Sequence, residues 1–221
     1  MTINQVIYDI LGLTSKAEIS DDSNLPLEQI KFWVVSSRAE LIRQQMNKGQ
    51  SINPDITQTI SCLKVIQIDA SECPCEAVGC TILRSEVQIP TTVETNQMNL
   101  LMQVSPNLIG SKPYTIIPYS RAAYITKSKF GKLGTKAFLH NRYIYLITDT
   151  YVESINVTGV FNEPEDLGNY KDCSGEACYS DDGYYPMSLH MVNTLKKMIM
   201  DTNFKVYLNT KEDTKNDAHG E

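Results

Sequence analysis

SNLPLEQIKFWVVSSRAELIRQQMNK, residues 23–48, reads as one long helix, and ISCLKVIQID, residues 60–69, reads as a strand. The change of period between them decides the fold class. At 100° per residue, Leu27, Ile30, Val34 and Leu41 share one side of the helix. Phe32, Val35, Ala39, Ile42 and Met46 share a second side, with Lys31 and Arg38 marking a border between the two. A surface helix of a globular domain needs only one apolar stripe. Two stripes require two partners, either two elements of the same chain or one such element and another polypeptide. Pro26 suits a first helical turn, Glu28 favours the positive end of the helix dipole, and Gly49 is the stop.

Upstream, Thr2-Ile3-Asn4-Gln5 has the form of a capping box, and Ile3, Val6, Ile7 and Ile10 follow at helical spacing. Gly12 is the expected end of this first short helix. Downstream, period 2 takes over. CTILRSEVQIP (80–90), LLMQVS (100–105), YTIIPYS (114–120), KAFLHNRYIYLIT (136–148) and VESINVTGVF (152–161) read as further strands, with His140-Asn141-Arg142 as a tight hairpin turn. Short connections between consecutive strands favour an antiparallel sheet or sandwich over βαβ units. Pro186 opens a last helix, PMSLHMVNTLKKMIMDT, with Leu189, Val192, Leu195 and Ile199 inward. FKVYL (204–208) reads as a short added strand, and NTKEDTKNDAHGE (209–221) as a flexible tail. The fold class is α+β: N-terminal helices, an antiparallel β-sheet or sandwich, a C-terminal helix and an extended tail. The expected organisation is a helical segment 1–50, a β-rich core with the C-terminal helix 51–202, and a polar tail 203–221.

Hydrophobic residues at 42% and charged residues at 21% of 221 are ordinary for a soluble globular protein. No apolar run is long enough to span a membrane, and Asp9 interrupts the opening apolar stretch, so no secretory signal is expected. A reducing cytoplasm is the expected place of maturation, with the six cysteines as thiols or metal ligands rather than a disulfide framework. The sequon at Asn156-Val157-Thr158 then has no use, and Thr158 is simply a strand residue.

Charge is uneven. Residues 1–94 hold 12 acids and 7 bases, and residues 149–221 hold 14 acids and 6 bases. Residues 95–148 contain no acid and seven bases: Lys112, Arg121, Lys127, Lys129, Lys132, Lys136 and Arg142. Such a positive patch on an acidic protein suits an acidic neighbour or nucleic-acid phosphates. A net charge of −6 argues against a dedicated nucleic-acid binder.

No catalytic constellation emerges. Cys73, Cys75, Cys80, Cys173 and Cys178 can supply thiolates to zinc, but the spacing lacks two short CxxC-type knuckles. Cys62 and Cys80 fit strands as buried small side chains. His140 falls in a turn and His190 on a Met-rich helix, so neither is poised beside a thiol. GKLGTK (131–136) scrambles the order a phosphate loop needs, and Asp181-Asp182-Gly183 is a turn signal. Lys127, Lys129, Lys132 and Lys136 give a cationic loop, equally readable as a solvated hairpin.

The chain resembles the head-to-tail connector, or ring, proteins of crAss-like tailed bacteriophages. The resemblance rests on MTINQVIYDILGL at the start, IKFWVVSSRAELIRQQMNKGQSI, CEAVGCTILRSEVQIP, YSRAAY, INVTGVFNEPEDLGNYKDCSG and YYPMSLHMVNTLKKMI, in that order. It implies a non-enzymatic structural subunit without cofactor, in a dodecameric homo-oligomeric ring joining portal to tail and lining the genome channel. It also implies the portal protein and an adjacent ring or tail protein as partners, the portal vertex and tail of the virion as location, and assembly in the host bacterial cytoplasm. In a ring each subunit meets its neighbour through two different surfaces. One helix stripe (Ile30, Val34, Leu41, or Phe32, Val35, Ala39, Ile42, Met46) then faces a neighbouring subunit or the portal. The lysine loop faces a protein partner or, non-specifically, genomic DNA. The alternative from another class is a small cysteine-rich metal-binding adaptor, which zinc content discriminates.

Overall fold

A computed structural model describes residues 1–14, 25–68, 81–96, 98–108, 110–122, 124, 134–148 and 150–206. In chain order the helices are α1 (Ile3–Thr14), α2 (Leu27–Asn47), α3 (Tyr119–Ala122) and α4 (Leu189–Ile199). The strands are β1 (Gln58–Gln67), β2 (Thr81–Ser85), β3 (Leu101–Pro106), β4 (Thr115–Ile116), β5 (Lys136–His140), β6 (Tyr143–Thr148) and β7 (Ser154–Gly159). The fold is α+β, as the periods require. It divides into two compact units, one comprising Met1–Ile56, Asn162–Pro164 and Ser180–Glu221, the other Thr57–Phe161 and Glu165–Tyr179.

The first unit is helical. The capping box at its start is formed: the Thr2 amide donates to Gln5 Oε1 at 3.0 Å, and the Gln5 amide donates to Thr2 Oγ1 at 3.2 Å. The helix continues through Gly12 to Thr14. Glycine costs a helix about 1 kcal/mol but does not break it, so the expected stop was two residues early. In α2, Pro26 is the N-cap in extended conformation. The helix ends where Gly49 adopts φ +77° and donates to Met46 O, while Gln50 donates to Gln45 O.

The buried side of α2 is Ile30, Trp33, Val34, Ser37, Arg38, Leu41 and Ile42. It packs on α1 and α4, whose Ile3, Val6, Ile7, Ile10, Met191, Val192, Leu195 and Ile199 are buried. Arg38 is not a border residue, since it is 0% exposed. Its Nε donates to Pro186 O at 2.7 Å, its NH2 donates to Ile56 O at 3.3 Å, and its guanidinium lies over the Tyr185 ring.

The last helix departs from expectation at both ends. Ser188 is extended, so α4 begins at Leu189 rather than at Pro186, and Leu189 points out at 72% exposure. Over 204–206, the described part of the expected added strand, the chain is helical instead: it runs on as a π-turn over Met200–Phe204, with Asp201 and Lys205 paired at 3.1 Å across it. Residues 207–221 lie outside the described residues.

The second unit is a seven-stranded sheet in the order β3-β7-β1-β2-β6-β5-β4. Every pairing is antiparallel except β4 with β5. The two edges of the sheet approach each other, because the Tyr114 amide just before β4 donates to Val104 O of β3 at 2.8 Å. The sheet is therefore rolled into a partly closed barrel. Ile60, Leu63, Val65, Leu83, Val104, Ala137, Ile144, Leu146, Ile155 and Val157 fill one continuous core from its strands. On the outer face, Phe138, Tyr145, Ile147, Ile82, Ile68 and Ala122 form a second cluster. That is why YIYLI in β6 reads as an unbroken apolar run: both faces of the strand are covered.

Local chemistry fixes the register. Asn141 and Arg142 take φ +50° and +63° in the β5–β6 turn, the left-handed pair a two-residue hairpin needs. A Cβ at Gly159 would sit 3.0 Å from Leu100 O, so glycine there admits close approach of the neighbouring chain. In β1 the register shifts between Ile60 and Leu63, and Cys62 takes φ +54° at the bulge. The bulge explains why the inward residues are 60, 63 and 65 rather than a strict alternation. The Cys62 amide donates to Asn156 Oδ1 at 3.1 Å across the strands, and Thr158 pairs with Thr59 through hydroxyls 2.8 Å apart.

Candidate assembly surfaces

Helix α2 carries the surface with the clearest consequence. The two stripes differ in burial: Ile30, Val34 and Leu41 are covered by their own unit, and so is Ile42, at 0% exposure. Leu27, at the helix start, is 49% exposed. On the other side Phe32 is 65% exposed, and Val35, Ala39 and Met46 are half-buried. Ser36 lies on this outer face, yet its hydroxyl donates back to Phe32 O at 2.8 Å, so it presents little polarity. Around this face Glu40 binds Arg43 and Gln44, and Lys31 pairs with Asp181 at 2.8 Å. The face is thus an apolar ridge bordered by internally satisfied charges. A shallow groove of about 210 Å³ between α1 and α2 adds Tyr8, 61% exposed, and Leu27 beside Lys31.

In the barrel unit the edges of the sheet leave a groove of about 540 Å³ lined by Met98, Leu101, Ile116, Ile117, Tyr119 and Leu139, among others. Leu101, Ile116 and Leu139 also pack against the barrel core, so the groove opens directly onto it. Met98 at its rim is 63% exposed. Tyr119 stacks on His140 with ring centroids 4.1 Å apart, which assigns that histidine a packing role.

The acid-free stretch lies in this same unit. Lys112 and Arg121 are exposed, and Lys136 is half-buried in β5. Arg142 is committed to Gln88, its NH2 2.5 Å from Oε1. Lys127, Lys129 and Lys132 lie outside the described residues. By sequence, the helical unit holds 15 acids and 10 bases, the barrel unit 11 and 10.

The cysteines require a correction. Cys62 and Cys173 form a disulfide, their Cα atoms 5.2 Å apart and their positions 111 residues apart in the chain. Asn107 Nδ2 donates to both sulfurs, at 2.8 and 3.1 Å. The expectation of thiols fails here because the bulge turns Cys62 toward the 172–177 turn, a juxtaposition that cysteine spacing does not encode. Cys173 is thereby withdrawn from the thiolate set considered for zinc. Cys178 is free, and Cys73, Cys75 and Cys80 lie outside the described residues.

Among the described residues no helix is long and apolar enough to cross a membrane. A family model described as phage tail ring protein 2 matches residues 5–221 of this chain. Ring protein 2 of Bacteroides phage crAss001 is 24% identical to it over 216 residues, covering 90% of this chain and 89% of that protein.

Proposed function

The chain belongs to the phage tail ring protein 2 family, structural ring proteins of the tails of crAss-like phages, and from that premise we propose that it is a subunit of a dodecameric ring that joins portal to tail and lines the genome channel. The observation that carries the reading to the residue level is the second face of α2. A helix that buries Ile30, Val34 and Leu41 of its first stripe within its own unit still offers Phe32 at 65% exposure with Val35, Ala39 and Met46 beside it. Solvent-exposed apolar ridges of this kind mark association surfaces. The outer face of α2 is the proposed subunit seam, while Ile30, Val34, Leu41 and Ile42 hold the subunit together.

The bases of the acid-free stretch 95–148 are assigned to protein contacts, with the next subunit or with the portal. A wall that is acidic overall repels phosphates and lets the genome slide past. The subunit performs no turnover and needs no cofactor in this role. Electron microscopy of the purified chain, with and without portal, tests the proposal. Closed rings alone or on the portal are expected; a chain that stays monomeric under both conditions would contradict it.

A further inference from the structure

We propose that the α2 ridge, led by Phe32, seats in the barrel groove of the next copy around the ring, a pairing that rests on the ring reading above. A ring closes through two different surfaces on each subunit, one given and one received. Here the two apolar surfaces lie in different units: the ridge in the helical unit, the groove in the barrel unit.

The groove is an interruption in a core. Val104 and Tyr114 tie the two sheet edges together at one end. At the other, Leu101, Ile116 and Leu139 are left half-exposed at the groove while packing inward against the barrel core. An aromatic side chain inserted there would continue that core, the usual form of an interface anchor. Phe32 fits the role because it stands on a long helix, is exposed, and is flanked by apolar Val35 and a self-satisfied Ser36. Addition of a strand fits the groove less well. β4 has only two residues, the β3 register shifts between Leu101 and Gln103, and Pro118 has no N–H to offer a ladder.

Charge points the same way. The groove is built within the acid-free stretch 95–148, whose Arg121 is exposed two residues after Tyr119. The ridge belongs to the more acidic unit, with Glu28 one turn before Phe32 and exposed. Opposite fields on the two surfaces set orientation and suppress the wrong face-to-face pairing.

The test uses the full chain assembled in tail particles, with photo-methionine incorporated in place of methionine and with mixed light and heavy isotope copies. Met98 is expected to cross-link to the α2 segment around Phe32 of a different copy, seen as light–heavy peptide pairs. Copy-to-copy cross-links that never join Met98 to α2 would overturn the docking while leaving the ring intact. Particles in which this chain forms no ring by imaging would instead overturn the ring reading. Two variants support the assignment: Phe32→Glu and Met98→Glu are each expected to lower the assembled fraction at least tenfold with circular dichroism unchanged. Assembly equal to wild type in either would contradict the pairing.

Discussion

Arg38 shows how much a single buried polar side chain can organise. It is fully buried, and it bridges the carbonyls of Pro186 and Ile56, drawing the start of the α4 segment and the end of the N-terminal segment onto α2. Arg38→Ala leaves two carbonyls without their charged donor and opens a cavity, at a cost of about 3 kcal/mol or more. Urea denaturation should show the loss as a lower midpoint. The Cys62–Cys173 bond closes a 111-residue separation, and a loop of that length contributes up to roughly 5 kcal/mol in the chain-entropy account, with typical disulfides delivering about 2–4 kcal/mol. Cys62→Ser should therefore destabilise the protein by about 2–4 kcal/mol, and a reducing agent should lower wild type by a similar amount while leaving the variant unchanged. Tyr170 donates to Gln88 O at 2.5 Å; burial raises its pKa, Asp166 adds to the rise and Arg142 opposes it. Burial also raises Tyr114. Both phenols ionise more readily in the unfolded chain, near 10.0, so stability falls as pH climbs from about 10 toward their higher folded values. Below that window they impart no slope. Tyr170→Phe should flatten the alkaline limb of a stability–pH curve.

At the scale of elements, the capping box of α1, the long α2, most of the strands and the tight β5–β6 turn are legible in the chain, because each is decided by residues within a few positions of one another. The 114–120 run is the exception, since only Thr115–Ile116 pairs as a strand and the chain after Pro118 turns helical over Tyr119–Ala122. What is not legible depends on distant pairings. The Arg38–Pro186 bond spans 148 residues, and the disulfide depends on a bulge that local spacing does not announce. Burial likewise had to come from packing: the sequence offers two equivalent stripes on α2, and only the positions of α1 and α4 decide that Val34 and Leu41 face in while Phe32 faces out. The physical difference predicts opposite phenotypes. Val34→Asp or Leu41→Asp buries an uncompensated charge and should unfold the helical unit. Ile42→Asp belongs with them, since Ile42 is 0% exposed. Val35→Asp, half-buried on the outer face, should retain its helical circular dichroism.

For the whole molecule, the helical unit and the barrel unit each have their own core; the helical unit presents the α2 ridge and the barrel unit the groove between its sheet edges. In the proposed ring, α2 is covered by its own unit on one side and meets a neighbouring copy on the other. The uneven charge fits the same need: the acid-free stretch resides in the barrel unit, and the helical unit carries the excess of acids. The central claim is that the outer face of α2 is an assembly surface and not part of the subunit's fold. Its most direct test is the sedimentation of wild type and Phe32→Glu, each alone and with portal, with thermal melts in parallel. The expected result is a ring-sized species for wild type and a monomer with an unchanged melt for the variant. A variant that assembles like wild type, or one that unfolds, would contradict it.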